Sequence, residues 1–281
     1  MSPLRISAIS FLNTAPLMWD FEQGDSATRL REHFSVSYTV PALCAEQLKA
    51  GEADIGIIPA ATYTTIPDLV ILPDVAIASK NEVRSILLVS KVPVDKIRSV
   101  ATDDSSRTSA ALVEIFLRKF VGVTPAFVRQ KPVLEEMLKW HDAGLLIGDP
   151  ALLARTEGLY VYDLAEQWRN WTGRPFVFAF WAVRRAALSG AAPDLDLAQV
   201  FRESRDHGLQ HVSDIVAAWA PKLSLPAPVV RDYLTTNIDY TLDEENLQGL
   251  QLFYRYAAEL QVLPPAPPLR FLEQPRMASK L

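Results

Sequence analysis

The chain has 281 residues, 49% of them apolar and 22% charged, a balance that suits two well-packed lobes and excludes a disordered or fibrous polymer. Its net charge of −5 argues against broad nucleic-acid affinity, which needs a basic footprint, yet leaves room for a local positive pocket that takes a small anion. The single cysteine, Cys44, excludes a disulfide within the chain, and neither a signal peptide nor a run of about 18 apolar residues is present, so a cytoplasmic protein without membrane attachment is expected.

The first expected strand, Arg5 to Ser10, leads directly into Asn13, Thr14 and Pro16. These are turn and helix-start residues. They also stand at the carboxyl end of a strand, where open α/β sheets bind ligands. Residues 36–40 read as a strand and 41–50 as a helix that stops at Gly51. Apolar runs at 53–59 and 85–90 are further strands, the first ended by Pro59.

Strand 97–102 precedes a helix through residue 120, with Val113, Phe116, Leu117 and Phe120 on one face and Ser105 or Ser106 as its cap. A strand at 124–130, a helix at 131–140 and a strand running into a helix at Asp149-Pro150 follow. This rhythm predicts a mainly parallel sheet. After the strand at 175–185 the chain turns helical to about residue 260, with breaks expected near Gly208, Pro221 and Pro226, and its proline-rich tail is expected to run over the surface.

Three junctions carry candidate chemistry. Ser105, Ser106, Arg107, Thr108 and Ser109 gather hydroxyls and a guanidinium at a helix start, where free N–H groups favour a carboxylate or phosphate. The same residues also read as an ordinary helix cap with a solvated arginine. Gly148 and Asp149 mark a second junction, where glycine permits close approach and Asp149 reads by itself as an N-cap. Trp171, Thr172, Gly173 and Phe176 form an aromatic turn that can shield a site or simply fill a core.

His207 and His211 have a spacing that can chelate a metal, but no third ligand accompanies them, and no metal site is assigned. Gly-x-Ser-x-Gly, phosphate-loop and Gly-x-Gly-x-x-Gly patterns are missing from the sequence, which argues against serine-hydrolase and nucleotide chemistry.

Six segments, taken in order, resemble the signature blocks of the chorismate dehydratases of the futalosine route to menaquinone. They are SFLNTAPL (10–17), DIGIIPAATY (54–63), SILLVS (85–90), SSRTS (105–109), LLIGDPAL (145–152) and DLAEQWRNWTGRPFVFAFW (163–181). The resemblance spans roughly residues 4 to 184 and resumes more weakly at 237–253. It departs from the family at Phe11, where tyrosine is frequent, at Ala60, where a serine is common, and at Ala165 and Arg174, which replace a usual glycine and leucine.

The resemblance implies a type II periplasmic-binding-protein-like α/β fold, with the ligand between lobe one (1–88 plus 180–281) and lobe two (89–179). It implies loss of water from chorismate, a small dicarboxylate, with no cofactor. Asn13 would be the catalytic donor. Ser10, Ser85, Ser105, Ser106, Arg107, Thr108, Gly148, Asp149, Thr172 and Phe176 would bind substrate. Two other readings stay open: 1,4-dihydroxy-6-naphthoate synthase of the same pathway, whose Ile-His-Glu histidine is replaced here by Gly148, and a solute-binding protein for a small carboxylate.

Overall fold

Ten strands form two five-stranded sheets among the residues that the computed structural model describes, 3–23, 26–190 and 195–273. In chain order they are β1 (Leu4–Ile9), β2 (Phe34–Thr39), β3 (Ile55–Pro59), β4 (Leu69–Ser79), β5 (Ile86–Ser90), β6 (Ser99–Asp103), β7 (Ala126–Gln130), β8 (Ala143–Ile147), β9 (Tyr160–Asp163) and β10 (Phe176–Arg184). The first sheet has the order β2-β1-β3-β10-β4 and the second β7-β6-β8-β5-β9. Burial follows these positions. Every residue of β3 is buried, as is all of β10 before Arg184, so both are continuous apolar runs covered on two faces. The edge strands β7 and β9 are largely exposed.

The expected mainly parallel pairing holds for β1 with β2 and β3, and for β6 with β7 and β8. The other pairs are antiparallel: β10 runs between β3 and β4, and β5 between β8 and β9. Both are the strands that follow a passage between sheets. The chain leaves the first sheet after Ser79, enters the second at Ile86, and returns at Phe176. Each arriving strand inserts against the direction of its neighbours, a reversal that periodicity along the chain does not encode. The outward passage is stitched down by Asp163, whose Oδ2 accepts from the backbone N–H of Val83 (3.0 Å) and Arg84 (2.6 Å).

Strand β4 has no counterpart among the expected elements. Its sequence, LVILPDVAIAS, contains a Pro-Asp pair that reads as a turn, and the structure accommodates the pair as an irregularity within a bent strand. Asp74 has a φ of +67°, and the guanidinium of Arg205 donates to its carbonyl oxygen. The proline-rich segment runs along this strand. Ile71 donates to the Arg270 carbonyl (2.7 Å) and Leu272 to the Ile71 carbonyl (2.8 Å), which covers a sheet edge that would otherwise be open to pairing. Residues beyond 273 lie outside the described part.

Gly208 does not break its helix, which runs unbroken from Leu197 to Gln210. The helix instead presses on the 3-10 turn Leu12–Met18: a Cβ at Gly208 would sit 2.0 Å from the Pro16 carbonyl oxygen, while Ser204 Oγ donates to the Leu17 carbonyl (2.9 Å). Gly208→Ala would gain up to about 1 kcal/mol of helix propensity. Overpacking against a backbone carbonyl costs about 1–3 kcal/mol or more. The net expectation is a loss of about 2 kcal/mol, read as a lower midpoint in urea; an unchanged midpoint would contradict the tight contact.

Candidate functional site

Two strand ends face each other across the gap between the sheets. On the first side, β1 ends and Phe11 leads into the 3-10 turn Leu12–Met18, with Asn13 buried to 8% exposure and turned to the gap. On the other side β6 ends at Asp103, and a short turn carries Ser105, Ser106 and Arg107 to the helix Thr108–Ile115. The serines do not cap this helix as expected. Arg107 holds the N-cap position and no side chain caps it. Asp103 takes up the serine loop instead: its Oδ1 accepts from the Ser105 N–H (2.9 Å) and hydroxyl (2.6 Å). Burial pushes the Asp103 carboxyl up from its ordinary range.

The cleft between these ends is lined by Asn13, Ser106, Arg107, Thr108, Ser109 and Gly148, over an apolar bed that includes Ile9, Phe11, Ile77, Ile147 and Phe178. Arg107 is the one charged side chain among these described lining residues. Its Nη2 lies 3.3 Å from exposed Glu46, whereas its Nη1 is buried without a hydrogen-bond partner. A buried guanidinium nitrogen left unpaired is costly, and an oxyanion in the cleft would satisfy it.

Several bonds hold the two sides together. Thr108 Oγ1 accepts from the Ala61 N–H (3.1 Å), and the Ser105 carbonyl accepts from Ala42 (3.0 Å). Asp149 is not an N-cap: the helix Gly148–Leu152 has Ile147 in that position, and Asp149 Oδ1 accepts from the Leu12 N–H (3.0 Å) across the cleft. Burial raises the Asp149 carboxyl, opposed by the Leu12 bond and by Lys222. Gly148 has a φ of +59°, and a Cβ there would fall 2.5 Å from the Phe11 ring, so only glycine lets this ring close over the junction. The cavity at this junction measures about 50 Å³. This is smaller than the roughly 150 Å³ cavity that takes benzene.

The structure thus brings Asn13, Ser106, Arg107, Thr108 and Gly148 together, with Asp149 bridging behind them. Ser105 is buried beneath the loop, bonded to Asp103. Ser85 lies wholly buried behind the cleft, where its Oγ accepts from the Tyr233 hydroxyl (2.8 Å). Three further candidates, like Ser85, Ser105 and Asp149, do not line the cleft. Ser10 is exposed and donates to the Thr39 carbonyl, and Thr172 Oγ1 donates to the Trp168 carbonyl in its own helix. Phe176 sits one step back, packed on Phe178 (4.7 Å between centroids), Phe253 and Trp168. Phe178, two residues further along the strand, meets the cleft in its place.

Sequence reasoning missed Phe11 and Phe178 as wall residues, and gave no sign of the Tyr233 hydroxyl bonded to Ser85 behind the cleft. Alternation along β10 could have pointed to Phe178, but no local pattern marks Tyr233. Elsewhere, His207 Nδ1 bonds to Asp20 (2.8 Å) and His211 stacks on Trp19, and the described residues contain no group of three or more His, Cys, Asp or Glu placed to hold a metal ion. No helix among the described residues is long and apolar enough to cross a membrane.

Residues 4–259 match the family model described as menaquinone biosynthesis. The chain is 32% identical over 285 aligned residues to a chorismate dehydratase of Thermus thermophilus, covering 95% of this chain and 98% of that one. Among solved structures, protein AF1704 of Archaeoglobus fulgidus aligns with a TM-score of 0.74 at 16% identity, over 93% of this chain and 98% of that one. The periplasmic aliphatic sulphonate binding protein of Escherichia coli aligns with a TM-score of 0.66 at 18% identity, over 100% and 96%. At such identities these structural likenesses bear on the fold, which is the two-lobed periplasmic-binding-protein kind.

Proposed function

The chain belongs to the menaquinone biosynthesis family, and from that premise we infer that it is a chorismate dehydratase, a hydro-lyase that converts chorismate to 3-[(1-carboxyvinyl)oxy]benzoate. The observation that carries this reading is the near full-length likeness to the Thermus thermophilus enzyme. The cleft suits the reaction. Its apolar bed fits a carbocycle, and its polar end gathers hydroxyls, helix N–H groups and one guanidinium for a carboxylate.

In this reading the ring carboxylate rests against Arg107, Ser106 and Thr108 at the helix start, and the C4 hydroxyl meets the Asn13 amide. The C3–H bond breaks, and its electron pair delocalises through the C1–C2 double bond towards the ring carboxylate. That charge is what Arg107 and the helix N–H groups stabilise. The C4–O bond then breaks, the ring becomes aromatic, and the departing hydroxide takes up the proton as water. Asn13 donates to the oxygen as charge develops on it. The lining residues include no carboxylate and no histidine, so we assign the C3 proton to the substrate's own enolpyruvyl carboxylate. Closure of the lobes excludes water and fixes the geometry. The motion would pivot at the two passages of the chain between the sheets, residues 80–85 and 173–175.

Incubation of the purified protein with chorismate, followed by proton NMR, tests the reading. The cyclohexadiene signals should give way to those of a 3-substituted benzoate. Chorismate that binds but survives intact would favour a solute-binding protein, and chorismate that neither binds nor changes would place the substrate elsewhere.

A further inference from the structure

Asn13 owes its place to the 3-10 turn Leu12–Met18, and Phe11, at the N-cap position of that turn, offers it no side-chain acceptor. The first N–H groups of a helical turn find no acceptor inside it. Leu12 is the first residue of the turn and is wholly buried. Its N–H donates to Asp149 Oδ1 (3.0 Å), a carboxylate on the opposite side of the cleft, just after β8 of the second sheet. The preceding residue completes the grip: the Phe11 ring lies over Gly148, where a Cβ would come within 2.5 Å of it. Gly148 is itself pinned, since its N–H donates to the Ser85 carbonyl (2.8 Å). Residues 148–149 thus hold residues 11–12, immediately before Asn13. Asp149 does not line the cleft, whereas Gly148 and Asn13 do.

We propose that Asp149 is a positioning residue for the dehydration: by accepting the Leu12 N–H from the opposite sheet, it fixes the start of the turn and with it the place of the Asn13 amide. The role needs an acceptor oxygen, not a charge. Without that oxygen the Leu12 N–H is left buried and unpaired, and the turn shifts to find a partner. Asn13 moves with it, away from the departing hydroxyl. Ser106, Arg107 and Thr108, which take the substrate carboxylate, lie on another segment and keep their places. Turnover therefore depends on Asp149 far more than binding does. The kinetic side of this proposal rests on the dehydratase reading, whereas the bond to Leu12 does not.

Asp149→Ala removes the acceptor, and Asp149→Asn keeps an oxygen in its place while removing the charge. Two measurements separate the claims. In protein labelled with 15N, the Leu12 backbone amide should exchange at least about tenfold faster in Asp149→Ala than in wild type, and Asp149→Asn should retain most of the protection. With chorismate, Asp149→Ala should lower kcat about tenfold with KM within about threefold, and Asp149→Asn should restore most of the lost kcat. The double variant Asn13→Ala/Asp149→Ala should be no slower than Asn13→Ala alone, because Asp149 acts through Asn13. Unchanged Leu12 exchange in Asp149→Ala overturns the positioning role whatever the substrate. A loss that falls mainly on KM, or one that adds to that of Asn13→Ala, overturns it as well. Asp149→Asn decides even if Asp149→Ala does not fold: a kcat tenfold or more below wild type with Leu12 still protected would mean that the charge acts on the substrate directly, and overturns the role. The expected Leu12 exchange pattern in a protein that leaves chorismate intact supports the hold of Asp149 on the turn and moves the failure to the dehydratase reading.

Discussion

Asn13→Ala should melt close to wild type, still bind chorismate, and turn it over at least about 10²-fold more slowly, the usual cost of removing one preorganised donor. The structure explains why stability should be nearly untouched. Asn13 caps nothing: Phe11 occupies the N-cap position of the 3-10 turn and no side chain bonds there. The bond from Thr14 to Asn13 Oδ1 is long, at 3.4 Å. Losing such contacts costs on the order of 1 kcal/mol. The amide faces the cleft, where a donor counts most in the transition state. Asn13→Asp keeps the shape but sets a second acceptor beside a dianionic substrate, so it too should be poorly active. A variant Asn13→Ala that melts much earlier yet keeps its kcat per folded molecule would return Asn13 to an ordinary turn residue.

The second large effect is expected at Arg107. Arg107→Gln should raise KM for chorismate about 10- to 150-fold, which corresponds to a charge-assisted bond of about 1.5–3 kcal/mol, while kcat falls less. Stability should hold or rise slightly. The Nη1 nitrogen is buried without a partner, and the Glu46 contact is at 3.3 Å with a largely exposed carboxylate, a pair worth little. Removing the unpaired buried Nη1 donor lifts a desolvation cost from the unliganded protein. Arg107→Lys should recover only part of the binding, since an ammonium cannot reproduce a planar fork on a carboxylate. Wild-type KM in Arg107→Gln would show that the helix start holds no carboxylate.

Local chemistry made much of the site legible. The hydroxyl-rich run at 105–109 and the strand ends at Asn13 and Gly148 do meet at one cleft, because strand-to-helix junctions in such sheets gather at their carboxyl edges. What local pattern could not supply is anything set by contact between distant segments. Asp149 has the sequence of an N-cap and serves a backbone N–H 137 positions away. Phe176 and Phe178 stand two apart on the same strand, and the structure packs Phe176 against Trp168 and Phe253 while Phe178 meets the cleft. β4 was hidden by a Pro-Asp pair that tertiary contacts from Arg205 hold inside a strand. The antiparallel insertion of β5 and β10 likewise follows from passage between sheets, not from the βα rhythm that precedes it. The family resemblance, by contrast, anticipated both the two-lobed fold and the activity, since the ordered blocks retain information about tertiary arrangement that periodicity lacks.

The central claim is that chorismate loses water in the cleft between Asn13 and Arg107. A crystal structure of Asn13→Ala grown with chorismate tests it most directly, because the slow variant should retain its substrate. The account predicts the intact ring on the apolar bed between Ile9 and Phe178, with a carboxylate oxygen about 3 Å from Arg107 Nη1 and the C4 hydroxyl facing the space left by the amide. Chorismate bound elsewhere, or bound in the cleft with its C4 hydroxyl turned away from residue 13, would contradict it.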